Sequence, residues 1–146
     1  MKTIALRFGD HFAPKCGTIA AHQQLIDELG YVWYGKMGNP VASAIANELK
    51  QQNNPKILLI HSGKQNRYWA YISDITRDTP EPSGIPEYYR DMTDKFRTWF
   101  KVSRFEPAER GVMAKCIVAS SGATLSEVSR HSMSPYFIIS TDDNND

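Results

Sequence analysis

Apolar residues along the chain are grouped in short runs, which predict strands, and at helical spacing, which predict helices. The predicted strands are residues 3–8, 31–34, 56–61, 68–75, 98–105, 112–119 and 136–140. The predicted helices follow Thr18, Asn39 and Thr124, and residues 62–67 join two strands as a hairpin. Residues 76–90, with several prolines, predict a loop with one helical turn near residues 86–90.

Capping residues set the bounds of the first two helices. Thr18 is predicted as the N-cap of the first helix and Gly30 as its end. Asn39 is predicted as the N-cap of the second helix, with Pro40 at its first position. Asn53, Asn54 and Pro55 end that helix.

The order of elements predicts an α+β fold, because strands outnumber helices and do not alternate with them one for one. Hairpins with helices in the crossovers favour a small, mostly antiparallel β-barrel with helices packed around it. No linker interrupts residues 1–140, which are predicted to form a single domain. Residues 141–146, which include Asp142, Asp143 and Asp146, are predicted to be an acidic disordered tail.

Composition excludes several classes of protein. With 41% hydrophobic residues the chain is typical of a globular domain. The longest apolar run, residues 57–60, is too short to cross a bilayer, so a cytoplasmic location and no membrane partner are expected. Cys16 and Cys116 are expected to be free thiols, and no metal-ligand spacing occurs. No metal and no cofactor are therefore expected.

Basic residues are concentrated in one part of the chain. Removing the three tail acids from sixteen leaves seventeen bases against thirteen acids, or +4, on residues 1–140. Between residues 95 and 115 the bases are Lys95, Arg97, Lys101, Arg104, Arg110 and Lys115, against Glu106 and Glu109. This excess would attract phosphates, although a solvated strand face gives the same pattern.

The sequence does not support a catalytic site. Cys16 with His22, or His61 with Asp74, could form a nucleophile pair, but neither lies in a recognisable nucleophile turn. Residues 35–38 lack the Gly-Lys-Ser/Thr ending of a phosphate-binding loop. The chain is therefore predicted to bind rather than to catalyse.

Aromatic residues at strand positions are more informative. Neighbours in a strand point to opposite faces, so one ring of each adjacent pair faces outward or into a cavity. Such rings can stack on bases or fill a core. They are Trp33, Tyr34, Tyr68, Trp69, Tyr71 and Trp99. His61 and Ser62, at the end of an apolar strand, supply donors and acceptors for a flat heterocycle, or make the hairpin turn.

These residues resemble the EVE domain of the PUA-like superfamily, which is related to YTH domains. The resemblance rests on Trp33-Tyr34-Gly35 before a helix, on Ile60-His61-Ser62 after an apolar run, and on the strand that begins Trp99-Phe100-Lys101. It covers roughly residues 30–140. The chain departs from the family at Ile60, where an aromatic is usual, at residues 36–40, and in its additional residues 1–29.

The resemblance implies a non-catalytic module that reads a modified base flipped into an aromatic-lined pocket. The base-binding residues would be Trp33, Tyr34, Lys36, His61, Ser62 and Trp99. The phosphate-binding residues would be Lys64, Arg67, Arg97, Lys101 and Arg104. Modified DNA is favoured over RNA, with a restriction ATPase or nuclease as partner. A protein-interaction adaptor and a small ASCH-type hydrolase are the alternatives.

Overall fold

The computed structural model describes residues 1–141, so the predicted tail lies, from Asp142 onward, outside the described residues. The strands are β1 (Lys2–Phe8), β2 (Val32–Met37), β3 (Lys56–His61), β4 (Arg67–Thr76), β5 (Phe96–Pro107), β6 (Cys116–Val118) and β7 (Tyr136–Thr141). The helices are α1 (Thr18–Leu29), α2 (Ser43–Lys50), α3 (Val112–Lys115) and α4 (Leu125–His131), with 3₁₀ helices at Pro82–Gly84 and Glu87–Lys95.

The strands follow the order β2-β5-β4-β3-β1-β7-β6, which confirms a mixed α+β fold. The prediction of a closed barrel is wrong, because β2 and β6 end this order and do not pair with each other among the described residues. β6 has three residues, which gives little backbone with which to close a barrel. β1 and β3 are parallel, whereas β1 with β7, β2 with β5, and β6 with β7 are antiparallel.

The chain divides into two compact units, and each is assembled from separated segments. Unit 1 contains residues 1–8, 56–69 and 106 onward, and unit 2 contains residues 9–55 and 70–105.

The core of unit 1 is built on β1 and β3. Residues 4–6 and 57–60 are buried, as expected for strands that are covered on both faces. β1 is also paired with β7, in a register that joins Lys2 to Ser140. The Arg7 guanidinium donates hydrogen bonds to the carbonyls of Ser129, Ser132 and Ser134, and so holds the segment that leads into β7.

The core of unit 2 lies against β2 and β5. Their register places Trp33 opposite Lys101 and Tyr34 opposite Phe100. An aromatic cluster of Tyr89, Phe96 and Trp99 with Ile85 is buried, and Trp33, Tyr88 and Met92 pack on it.

The helix starts differ from the sequence predictions. Gly17 is the N-cap of α1, and the Thr18 amide donates to Oδ1 of Asp10 at 2.9 Å. Gly30 ends α1 as predicted, in the left-handed conformation with φ of 87°. α2 begins at Ser43, not at Pro40, and the backbone of Asn39 and Val41 is instead hydrogen-bonded to the side chains of Lys36 and Thr98.

Two other segments also differ. Residues 112–119, predicted as one strand, form α3 followed by the short strand β6. The predicted loop 76–90 contains the first 3₁₀ helix and the start of the second. The second has a kink at Met92, where φ and ψ are not helical.

Candidate functional site

The three aromatic residues among the predicted base-binding residues lie on β2 and β5 of unit 2 and are at least half-buried. Trp99 has no exposed surface, and its ring centroid lies 5.0 Å from that of Phe96 and 6.0 Å from that of Tyr89. Tyr34 is 4% exposed, and its ring lies 5.0 Å from the buried imidazole of His22. Trp33 is half-buried. Of these rings, Trp33 is therefore the one with most surface to offer a ligand.

Lys36, also on β2, is hydrogen-bonded to the backbone that follows this strand. Its ammonium donates to the carbonyls of Met37 and Asn39, at 3.1 and 2.7 Å. Burial lowers the pKa of this ammonium. Opposite it on β5, the Thr98 hydroxyl accepts a hydrogen bond from the Val41 amide at 3.0 Å. Both side chains thus stabilise the segment between β2 and α2.

His61 and Ser62 lie in unit 1, at the hairpin that joins β3 to β4. The His61 imidazole stacks on Phe8, with 4.6 Å between the ring centroids and 18° between the planes. The Ser62 side chain is exposed, and its amide donates to the Phe8 carbonyl at 2.8 Å. The same hairpin carries Lys64, which is exposed, and Arg67, which is half-buried.

Arg67 has a local role in this hairpin. Its guanidinium donates to the carbonyls of Lys64 and Asn66, at 2.7 and 2.9 Å. Burial, and then the nearby positive charge of Arg7, lower the pKa of Arg67.

The other predicted phosphate-binding residues, Arg97, Lys101 and Arg104, lie on β5. The Lys101 ammonium is 4.6 Å from the centroid of the Tyr31 ring and 6.0 Å from that of Trp33. Within residues 1–141 Lys101 has no acidic partner. We call Tyr31, Trp33 and Lys101 the cation–aromatic surface. Strand alternation puts Arg104 on the opposite face, where its guanidinium lies 4.0 Å from the centroid of Tyr71.

The 3₁₀ helix Pro82–Gly84 supports this surface. A Cβ at Gly84 would lie 2.9 Å from Cε2 of Tyr31 and 3.0 Å from Cδ1 of Trp33. Real Cβ atoms do not come so close, so the absence of a side chain at residue 84 lets both rings pack on the backbone. The sequence did not indicate this role for Tyr31 or Gly84. The sequence signal for Gly84 was weak, because a glycine in a proline-rich loop is also typical of an ordinary turn.

A pocket of about 720 Å³ lies in unit 2 between α1 and the 3₁₀ helices. We call it the helical pocket. Its lining is Pro14, Cys16, Ala21, Gln24, Leu25, Glu28, Ser83, Pro86, Glu87, Tyr88, Arg90 and Asp91. None of these residues was among the predicted site residues. Glu87 and Asp91 are spaced by four, but that spacing alone also fits a solvated helix face.

Contacts with neighbouring rings position the Tyr88 wall of the helical pocket. The ring centroid of Tyr88 lies 4.8 Å from that of Tyr89, the Tyr88 hydroxyl is close to the side chain of Thr18, and burial raises the pKa of this hydroxyl. The Thr18 hydroxyl in turn donates to the Gly9 carbonyl at 3.0 Å. Burial raises the pKa of Tyr89 as well, so both phenols stay neutral and act as hydrogen-bonding groups.

His22 lies behind this wall, 6.2 Å from Tyr88 between ring centroids, and is fully buried. Its Nδ1 lies 2.8 Å from the Thr18 carbonyl, which can only accept, so Nδ1 carries the proton. Nε2 is then an acceptor, and it has no hydrogen-bond partner among residues 1–141. Burial lowers the pKa of His22 to about 4, so the imidazole is neutral at physiological pH.

Unit 1 has a pocket of about 590 Å³ with a different character. It is lined by serines and apolar residues, among them Ser120, Ser132, Ser134 and Phe137, and Lys2 is its one charged residue. In the part of the chain that the structure describes, no group of three or more His, Cys, Asp or Glu side chains could hold a metal ion. No helix in residues 1–141 is both long and apolar enough to cross a membrane.

Comparison with known proteins assigns the fold family. Searches of curated proteins and of solved structures found no match. A family model described as Pua-like matches residues 4–139. Because this match spans nearly the whole chain, the protein belongs to the PUA-like family.

Proposed function

We propose that this protein is a non-catalytic nucleic-acid-binding module that contacts unpaired bases through the cation–aromatic surface. PUA-like domains are commonly RNA- or DNA-binding modules. The observation that carries the proposal is Lys101, whose ammonium lies beside two half-buried rings without an acidic partner among residues 1–141. A cation can contact a phosphate while the rings of Tyr31 and Trp33 stack on the adjacent bases.

The finer proposal follows the EVE-domain resemblance. It assigns the module the reading of a modified base, with DNA favoured over RNA and a restriction ATPase or nuclease as partner. Arg97 and Arg104 extend the positive charge of β5, and both are exposed. Trp99, His61 and Ser62 stay predicted base contacts, although Trp99 would need its packing opened to reach a base.

A hydrolase is less well supported. The ASCH-type site needs a Lys, a Thr and a Glu together, and Lys36 does lie opposite Thr98. Their polar atoms, however, are bonded to the backbone of Met37, Asn39 and Val41. These contacts support a structural role for the two residues.

The test is a salt titration of single-stranded oligonucleotides with Lys101→Ala. Affinity should fall as salt rises, and losing one phosphate contact should reduce the slope of log affinity against log salt by about 0.7. Lys115→Ala, which removes an exposed lysine from unit 1, is the matched control and should leave the slope unchanged. Equal slopes for Lys101→Ala and the unchanged protein would refute this assignment. If the protein binds no oligonucleotide, the surface is better explained as a protein-interaction site.

A further inference from the structure

The helical pocket has an excess of negative charge. Glu28 from α1, with Glu87 and Asp91 from the second 3₁₀ helix, gives three carboxylates against the single guanidinium of Arg90. Within residues 1–141 none of these four side chains has an ion-pair or hydrogen-bonding partner. Their field is therefore not neutralised inside the protein, so a cationic ligand is attracted and a phosphate is repelled.

The walls of the helical pocket suit a flat ligand. Tyr88 presents an aromatic ring that packs against the rings of Tyr89 and His22, with 4.8 and 6.2 Å between centroids. Apolar contact comes from Ala21, Leu25 and Pro86. A volume of about 720 Å³ is in the usual range of small-molecule sites. An aromatic face with carboxylates around it is the arrangement that binds planar or quaternary cations.

The pocket adjoins the cation–aromatic surface through one short segment of chain. Ser83 lines the pocket, and the next residue, Gly84, packs on the rings of Tyr31 and Trp33. A nucleic-acid strand whose phosphates follow Lys101 would have the pocket next to its stacked bases. The negative lining would then exclude the backbone and admit a base alone.

We propose that the helical pocket recognises a nucleobase that is cationic at neutral pH because a ring nitrogen is methylated. This inference rests on the proposed function and names the class of modification that is read. A neutral base, or one methylated on carbon or on an exocyclic nitrogen, gains nothing from the three unpaired carboxylates. A base that ring methylation makes cationic gains both their attraction and a cation–π contact with Tyr88.

The test uses free nucleosides, which contain no phosphate and so remove the Lys101 contact from the measurement. 1-Methyladenosine is cationic at neutral pH, whereas its isomer N6-methyladenosine is neutral. We expect calorimetric titration to give at least about tenfold tighter binding of the cationic isomer, the factor that one close charge contact near a protein surface supplies. Equal binding of the two isomers, or no binding of either, would overturn the proposal.

Variants locate the site. Glu87→Gln combined with Asp91→Asn should remove most of the preference for 1-methyladenosine, and Glu28→Gln should reduce it by several-fold. Glu127→Gln, an exposed acid of α4 in unit 1, is the charge-matched control and should leave the preference unchanged. A preference that survives the double substitution in folded protein would place the cation elsewhere and contradict the proposal.

Failure of the cationic-base proposal can be distinguished from failure of the proposed function. If 1-methyladenosine is preferred but oligonucleotides do not bind, the cation site stands and the nucleic-acid function fails. If oligonucleotides bind in a Lys101-dependent way and the isomers are not distinguished, the function stands and the cationic base is excluded.

Discussion

Trp33 and Trp99 differ in exposure, and this difference decides what their substitution measures. Trp99→Ala should lower the free energy of unfolding by about 3–5 kcal/mol, because it leaves a large cavity among Ile85, Tyr89 and Phe96. Trp33→Ala should cost less stability and weaken oligonucleotide binding by about 1–3 kcal/mol, the loss of one stacked base. Urea denaturation and titration of the two variants separate these effects. Unchanged stability in Trp99→Ala would contradict its place in the core.

Gly84 offers a second test on the scale of one residue. Gly84→Ala should push the rings of Tyr31 and Trp33 from their positions, since its Cβ would lie 3.0 Å or less from both. We expect weaker oligonucleotide binding and a stability loss of about 1–3 kcal/mol from overpacking. Gly9→Ala is the matched control, because a Cβ there meets nothing within 4 Å. Similar behaviour of the two variants would show that the rings do not depend on Gly84.

At this scale the sequence predicted on which face of a strand neighbouring side chains lie, but it did not predict what packs against them. Alternation in β2 correctly implied that Trp33 and Tyr34 face opposite sides. It could not show which side is covered, because that depends on α1 and on the 3₁₀ helices far along the chain. For the same reason the closeness of Tyr31 to Lys101, 70 residues later in the sequence, was not predicted.

On the scale of elements, α1 is held to β2 through the buried imidazole of His22. The pKa of this group is lowered from 6.5 to about 4 in the folded protein. Its stabilising contribution is therefore complete above pH 6.5 and is lost as the pH falls toward 4, because the unfolded chain takes up the proton first. The total loss should be about 3 kcal/mol, with a slope near 1.4 kcal/mol per pH unit.

The measurement is urea denaturation between pH 4 and 7, compared with His22→Phe. The variant should show a flatter dependence of unfolding free energy on pH across this interval. His131→Gln, an exposed histidine of α4, should keep the slope of the unchanged protein. If His22→Phe has the same slope, the acid sensitivity comes from other groups.

Elements were predicted where local signals and packing agree. Gly30 ended α1 as expected, and the apolar run 57–60 became the buried β3. Asn39 and Pro40 have the sequence of a helix start, yet the carbonyl of Asn39 bonds Lys36 and α2 begins at Ser43. In residues 112–119 the apolar residues fit a strand, but residues 112–115 instead turn as α3. Tertiary contacts outweighed local preference in both segments.

On the scale of the whole molecule, the sequence predicted the fold class but not the closure of the sheet. Strand count and turn residues are local, whereas closure depends on which strands lie at the two ends. β2 and β6 are those strands, and 78 residues separate the end of β2 from the start of β6 along the chain. The resemblance to the PUA-like superfamily supplied the fold family, which the match over residues 4–139 confirms.

The pairing of β1 with β7 has a consequence for synthesis of the protein on the ribosome. Of these two strands β1 is made first, and its partner residues 136–140 follow only after the strands between them in the sequence. Until they emerge, one side of an apolar strand has no hydrogen-bonding partner and is open to association with other nascent chains. Contacts between such distant residues also slow folding. One edge of β1 therefore stays unpaired until residues 136–140 have been made.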